Sequence, residues 1–481
     1  MSHSAPAASR QPLPGEITVL VAAAFTVAIG YGIIAPVLPQ FAESFDLGVT
    51  AATVVVSSFA FFRFVFAPAG GSLVNALGER RVYITGLLIV AASTFAVALA
   101  QSYWQLLIFR GLGGLGSTMF TVSAMALIVR IAPARQRAQA SSAYATAFLV
   151  GNIAGPVVGG LMAGWGMRVP FIVYAIALVI AAAIVWLRLD AARIDALATA
   201  AESPAQAEAK ADGQPVAQAG ATTRDEAPPA SGAAQAAAVA TASGPDTSRM
   251  RFREAWRDTA YRASLLSGFV HGWASMGVRV ALYPLFALHV LDAGPSTAGL
   301  ALTFFALGNF AAVRVVARYS DFRGRKPFIL AGLAIMGAAT IVLGWSPTVW
   351  VFYALSILAG IGAGLLNPAQ QAALSDIVGS TRKSGTVFSR YQMAMDAGAI
   401  IGPILGGMIV DASGYALAFA LTGGLAFIAV IAWLPGRETL PAIRDPHAAE
   451  AGPGAKAGGD SSGGDSSGGG PADPGQAMTS D

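Results

Sequence analysis

The stretch Gly151-Asn-Ile-Ala-Gly-Pro-Val-Val-Gly-Gly160 returns 247 residues later as Gly398-Ala-Ile-Ile-Gly-Pro-Ile-Leu-Gly-Gly407. Both copies lie inside long apolar runs. Small residues at spacing four let helix backbones approach closely in a membrane. Pro156 and Pro403 each remove a backbone donor and permit a kink. The offset recurs elsewhere: Asn75-Ala-Leu-Gly78 corresponds to Asp321-Phe-Arg-Gly324 at 246, and Arg135 to Arg382 at 247. A fixed offset shared by several motifs means two copies of one unit.

The composition says what kind of unit. The 481 residues are 55% hydrophobic and 12% charged, against about 25% charged in a soluble domain, and the mean hydropathy is +0.61. Most of the chain is therefore expected in a membrane. Apolar segments are read at roughly 17–40, 51–70, 82–100, 104–128, 140–164, 169–188, 262–290, 297–317, 328–345, 349–375, 386–410 and 415–434. A spanning helix needs about 20 residues. Backbone groups in lipid must be satisfied internally, which makes these segments helices; barrel strands would alternate over about 10 residues. The expected fold is all-α and membrane-embedded, with twelve transmembrane helices in two pseudo-symmetric six-helix bundles, 17–188 and 262–434.

The remaining chain is of another kind. Residues 1–16 form a polar tail. The connection 189–261 is rich in Ala, Pro, Gly and Gln, and 435–481 contains GGDSSGGDSSGGG. Segments with so few large apolar residues cannot bury a core and are expected to be disordered. Within the connection, FREAWRDTAYRASL has the pattern of a surface helix leading into segment seven.

Loop charge gives the orientation. Even-numbered connections carry Arg80 and Arg81; Arg130, Arg135 and Arg137; Arg318, Arg323, Arg325 and Lys326; and Arg382, Lys383 and Arg390, whereas the odd ones carry only Arg168. Basic loops stay in the cytoplasm. Both termini and the central connection are thus expected inside, in a multi-pass protein of the cell membrane. The Ala/Gly/Arg-rich composition suggests a bacterial inner membrane.

Several function classes are excluded. Cysteine is absent, which rules out thiol nucleophiles, disulfides and zinc-thiolate sites. The net charge of +4 is scattered along the chain without interleaved aromatics, so nucleic acid is not expected as a partner. No G-x-x-x-x-G-K-[ST] or H-E-x-x-H motif occurs. No catalytic residue, metal site or cofactor is expected, and the chain does not read as an enzyme.

With these motifs in hand, the chain resembles the major facilitator superfamily, and within it the twelve-helix drug/proton antiporter branch. Gly71, Leu73, Gly78, Arg80 and Arg81 match the family's G-x-L-a-D-r-x-G-r-r loop after segment two. Asn75 stands where the family has Asp, and Glu79 where it usually has a basic residue. The second copy keeps Asp321, Gly324, Arg325 and Lys326, with Ala317 in place of the leading Gly. Arg110-Gly-Leu-Gly-Gly114 looks like R-x-x-q-G. Gly151, Gly155, Pro156, Gly159 and Gly160 resemble the antiporter signature, as do Gly398, Gly402, Pro403, Gly406 and Gly407 in the second half. Ser142 replaces a further glycine of that signature. The resemblance implies cytoplasmic gates at the two loops, a bent glycine-faced helix at the seam between halves, and a proton-coupling role for Arg110.

Charges inside the apolar segments are the remaining candidates. Each costs about 2.5–3.5 kcal/mol at mid-membrane, so such residues face cavities and find partners. Arg63 and Arg314 read as near enough to the cytoplasmic helix ends to snorkel. Asp396 is the one carboxylate placed deep in a helix. A carboxyl that loses an arginine partner as the halves rock could take up a proton in one state and release it in the other. His271 is a candidate relay. Tyr31, Asn152, Trp273, Arg279, Asn309, Tyr391 and Gln392 are candidates to line a substrate cavity.

The function expected is secondary active transport by alternating access: proton-coupled efflux of small amphipathic or cationic, drug-like compounds by a monomer whose partners are the bilayer, the substrate and protons. Movement of a sugar or another metabolite in either direction is the alternative within transport. A non-transporting membrane sensor on the same fold is the alternative outside it.

Overall fold

A computed structural model of the chain describes residues 13–133, 136–190, 194, 196, 252–378 and 385–440. The helices, in chain order, are α1 (Gly15–Ile34), α2 (Leu38–Glu43), α3 (Gly48–Leu77), α4 (Glu79–Leu99), α5 (Tyr103–Ile131), α6 (Arg137–Met162), α7 (Val169–Arg188), α8 (Phe252–Arg257), α9 (Thr259–His271), α10 (Arg279–His289), α11 (Pro295–Arg323), α12 (Lys326–Leu343), α13 (Val349–Val378), α14 (Gly385–Ser413) and α15 (Tyr415–Trp433). Eleven of them are long and apolar enough to cross a membrane individually. The remaining crossing is composite: α9 passes through a π-helical turn, Gly272–Val278, into α10. The architecture is two pseudo-symmetric bundles of six crossings.

The repeat reaches into backbone detail. Gly78 ends α3 at φ +83° and Gly324 ends α11 at φ +89°, a conformation open to glycine at no steric cost. Asp46 and Asp292, also 246 apart, both take the left-handed conformation, at φ 56° and 47°, which aspartate tolerates better than most residues. Within halves, α1 packs on α6, α4 on α5, and α13 on both α11 and α12. Between halves, α3 packs on α14 and α6 on α11.

Several boundaries differ from expectation. GSLVNALGERR is not a loop. Gly71–Leu77 forms the last two turns of α3, Gly78 alone breaks the chain, and Glu79 opens α4. Segment one ends at Ile34, and α2 follows as a separate short helix with Pro39 in its first turn. The expected linker 189–261 includes α8 and the start of α9, where the Asp258 carboxylate accepts from Ala260 N at 2.8 Å and caps the helix. The expected tail from 435 begins with a segment bonded back onto the bundle as far as Leu440. Residues 1–12, most of 189–251 and 441–481 lie outside the described residues, as do Arg135, Arg382 and Lys383.

Candidate functional site

The seam between halves contains an ion pair. Arg63 of α3 and Asp396 of α14 meet at 3.4 Å, and Gln392 Nε2 donates to the same carboxylate oxygen at 3.0 Å. The side chains are 27% and 15% exposed, so water reaches the pair only partly. Asp396 and Gln392, two of the residues singled out in the sequence, are thus joined. Arg63, read as a snorkelling residue, is their partner from the opposite half. Nothing in either helix's periodicity pairs residues 333 apart. Nearly two turns along α3, the Ser57 hydroxyl donates to Ile400 O at 2.9 Å, and on the other seam Thr303 donates to Ile153 O at 3.2 Å.

The face bearing the odd-numbered connections, the far face, is closed by a second set of cross-half contacts. Asp411, near the end of α14, accepts from Val49 N at 3.1 Å, Thr50 N at 2.9 Å and the Thr50 hydroxyl at 2.5 Å. It caps the first turn of α3, whose own N-cap Leu47 cannot. His289 bridges Glu43 of the first half, at 2.6 Å, to the Tyr415 hydroxyl, at 2.6 Å. Gln40 Nε2 donates to Pro284 O at 2.9 Å. Burial raises the Glu43 carboxyl above its usual range, His289 works against that shift, and the Asp411 and Asp46 carboxylates add to it. Sequence reading missed this latch. Its one signal was that the odd connections hold acids and almost no basic residues.

The hinge motif divides its work by direction. A Cβ on Gly151 would sit 2.8 Å from Ile29 N, and Cβ atoms on Gly155 and Gly159 would collide with the carbonyls of Ile29 and Ile33. These three residues press α6 onto α1 inside the first half. Gly398 and Gly402 likewise press α14 onto Phe269 and Trp273. Gly406 is looser, at 3.2 Å from Leu282. Only the last glycine of each copy faces the other half. Gly160 meets Pro295 and Ser296, and Gly407 meets Thr50 and Thr53. Adjacent residues on a helix point about 100° apart, so a Gly-Gly pair can serve both surfaces. Pro156 and Pro403 lie inside their helices. Both helices lie at the seam as expected; of the glycines in each copy the last faces the other half, and in the first copy the Pro156 carbonyl does so as well, against Gly299.

At the basic face, the loops are tied into their own halves. Glu79 binds Arg130 at 2.6 Å, and Arg80 donates to Trp186 O at 2.7 Å. Asn75 and Arg81 are exposed. Gly70 makes a close approach to α5, where a Cβ would lie 3.2 Å from Thr118; the surroundings of Gly71 and the Asp321 side chain lie outside the described residues. In the second half, Arg325 Nε binds Asp376 at 3.2 Å. The Glu438 carboxylate accepts from Arg325 N at 2.8 Å and Lys326 N at 3.1 Å. Lys326 Nζ donates to Leu434 O and Gly436 O, both at 2.8 Å. A Cβ on Gly324 would collide with Glu438. Burial works to raise the Glu438 carboxyl, but hydrogen bonds from four backbone N–H groups outweigh it and hold the group below its usual range.

The other candidates separate. Arg110 of α5 lies over the Phe59 ring at 4.2 Å, and Arg279 of α10 lies over Phe305 at 4.1 Å. Tyr31 stacks near Phe59, ring centroids 6.0 Å apart. His271 is buried, and neither ring nitrogen has a hydrogen-bond partner among the described residues. Tyr391 is no cavity residue: it is fully buried, and its hydroxyl donates to Gln370 Oε1 at 2.9 Å. Trp273 donates to the Thr422 hydroxyl at 3.2 Å inside the second half. Asn152 donates to Phe148 O of its own helix. Asn309 is half-buried, with Gly364 packed against its backbone. Among the described residues, no group of three or more His, Asp or Glu could hold a metal ion.

Comparison with known proteins agrees with this architecture. The chain is 32% identical over 158 residues to the quinolone resistance protein NorA of Staphylococcus aureus; that match covers 32% of this chain and 40% of the relative. It is 25% identical over 420 residues to multidrug resistance protein 1 of Bacillus subtilis, covering 87% of this chain and 96% of that one. A solved bacterial homologue of the human lysosomal transporter Spinster, inward-facing and unoccupied, superposes with a TM-score of 0.66 at 16% identity over 87% of this chain and 95% of its own. The Major Facilitator Superfamily model matches residues 20–272 and 264–460, and with two six-crossing bundles repeated down to the αL turns at Asp46 and Asp292, the chain belongs to that superfamily.

Proposed function

We propose that this transporter is a proton-coupled exporter of small amphipathic, drug-like compounds, working by alternating access with its basic face in the cytoplasm of a bacterial cell. The names of two relatives, one for quinolone and one for multidrug resistance, support export. The observation that carries the coupling reading is the Arg63–Asp396 pair, because its two members belong to halves that must separate at this level.

The cross-half bonds made by Gln40, Val49, Thr50, Ser57, Thr303, His289 and the Arg63–Asp396 pair lie between the level of Asp396 and the far face. With the basic face inside, this is the state open to the cytoplasm. Substrate enters from that side. Closing the cytoplasmic side and opening the far one pulls Arg63 away from Asp396. Removing a cation from beside a part-buried carboxylate favours its protonated form, so Asp396 picks up a proton from outside. On return, Arg63 re-forms the pair and the proton leaves inward. Gln392 stays with Asp396 on the same helix and holds the carboxylate's orientation throughout.

The test is gradient-driven flux in proteoliposomes. Asp396→Asn is expected to lower it about 5- to 150-fold, since couplings of this kind run at about 1–3 kcal/mol. Flux equal to wild type under the same pH gradient removes the proposal.

A further inference from the structure

Two intramembrane arginines outside the Arg63–Asp396 pair, Arg110 and Arg279, share an arrangement. Phe59 and Phe305 occupy equivalent places in the repeat, 246 residues apart on α3 and α11. Each is covered by a guanidinium group, Arg110 on the first and Arg279 on the second. The arginines are not themselves repeat partners, for one lies on the fourth crossing and the other on the seventh. The cation over the ring was therefore reached independently in each half. Tyr31 of α1 lies beside Phe59, ring centroids 6.0 Å apart, and within electrostatic reach of both guanidinium groups, so one tyrosine neighbours both cations.

Neither cation has a counter-ion. No carboxylate pairs with Arg110 or Arg279 among the described residues; Asp396 is held by Arg63 and Gln392, and Asp411 by Thr50. The Arg110 Nε is buried and makes no hydrogen bond. The Arg279 Nε donates to Ser275 O at 2.8 Å inside the π turn, and that turn changes the phase of the crossing just before the arginine. π turns of this sort occur often at functional sites. One turn further down, His271 is buried with both ring nitrogens unpartnered. An intramembrane cation is costly unless it is paired, and the ring faces beneath these two supply only part of what a carboxylate would.

We infer that Arg110 and Arg279 jointly hold the anionic head of the transported molecule, an amphipathic organic anion such as an aromatic carboxylate or sulfonate, with Tyr31, Phe59 and Phe305 against its apolar body. This rests on the export reading above and narrows its drug-like compounds to anions, against the cationic class expected from the sequence. Each half contributes one cation, so an anion bridging them draws the halves together from both sides of the seam. Empty, the two guanidinium groups repel each other, which favours separation.

Two xanthene dyes of like size and opposite charge decide the matter: carboxyfluorescein and rhodamine 123. Binding to the purified full chain in detergent is read by fluorescence anisotropy. The anion is expected to bind at least tenfold more tightly than the cation. Arg110→Gln and Arg279→Gln are each expected to weaken the anion at least tenfold without lowering the melting temperature, because neither residue holds an ion pair. A readout on unmutated protein guards against misfolded variants: benzenesulfonate, and not benzyltrimethylammonium, should displace bound carboxyfluorescein. Preferential binding of rhodamine, displacement by the ammonium ion, or an unchanged anion affinity in folded Arg279→Gln overturns the inference. Flux in proteoliposomes separates it from the export reading. Anion binding without flux keeps this site and removes export; flux of rhodamine alone keeps export and removes this site.

Discussion

Among the described residues, the two faces of the molecule use their charged groups in opposite ways. At the far face, Asp411, Glu43, His289 and Gln40 bond across the seam. At the basic face, Glu79, Asp376 and Glu438 bond inside their own halves. Among the described residues, the ion pairs at the basic face tie each half to itself, and separation is opposed by the far-face contacts, the Arg63–Asp396 pair and the Ser57 and Thr303 hydroxyl bonds. The conformation of such a molecule is decided by the few bonds that cross, whatever the total. A rocking transition needs those bonds broken and leaves the others intact.

Removing a crossing bond should thus shift the equilibrium, and removing a strong local one should not. Asp411→Ala deletes three acceptor contacts that cap α3 from the opposite half. Loss of a helix cap costs about 0.5–2 kcal/mol, which is about a 2- to 30-fold shift toward the state open at the far face. The absence of native cysteine makes spin labelling simple. Labels at Trp165 and Trp350, both 79% exposed and on different halves, should move apart. Arg130→Ala, which breaks the 2.6 Å pair with Glu79, should leave that distance distribution unchanged. An equal response to both substitutions breaks the comparison.

Gly160 and Gly159 offer the same contrast within one motif. Gly160→Val places atoms against Pro295 and Ser296 of the other half, and overpacking of this kind costs about 1–3 kcal/mol. The far face should open, as in Asp411→Ala, with little change in melting temperature. Gly159→Val collides with Ile33 in its own half and should instead lower the melting temperature while leaving the distances between halves alone. A melting loss in both variants would mean that the two glycines do the same job.

Much of this was legible beforehand because the membrane imposes strict rules on length and charge. Twelve crossings, their order and the repeat follow from apolar runs and a constant offset. Contacts between halves do not. Arg63 looked like a snorkelling residue because depth was judged from its own helix, and Asp396's partner was visible only once α3 and α14 were side by side. Tyr391 and Trp273 looked like cavity residues because polar atoms on an apolar helix stand out, yet both bond inside the second half, to Gln370 and Thr422. The π turn left no trace either, since an inserted residue does not alter an apolar run. The loop departures were read in place, but the consequence of Glu79 was not: it supplies Arg130 with a carboxylate one turn away from the neutral Asn75.

A gentler probe of the basic face is the charge missing at residue 75. There the repeat is lopsided, Asn75 against Asp321, and closure of that face should depend more on the second copy. Asp321→Asn is expected to lower the population closed at the basic face by less than about fivefold, the range of one helix-terminal charge, and Asn75→Ala by less still. Equal effects in the same spin-label measurement, with labels moved to the basic face, would remove the asymmetry.

The smallest effect belongs to Glu438, which ties the segment after α15 to the N–H groups opening α12. Its folded-state carboxyl sits below the usual range, so the stabilisation it gives is complete above its unfolded value, about 4.3, and fades as the pH falls through the lower folded one. At pH 7, Glu438→Gln should therefore melt slightly earlier than wild type. The group is exposed, and after solvent screening the difference should be a few tenths of a kcal/mol. The gap should close below about pH 4, as the wild-type carboxylate takes up its own proton. A gap that persists into acid would mean that the shape of the side chain, and not its charge, anchors the segment; no gap at any pH would mean that Lys326 Nζ, bonded to Leu434 O and Gly436 O, holds it without help. In either case Lys326→Met at pH 7 separates the two anchors, because it removes the ammonium and leaves both backbone N–H groups for Glu438.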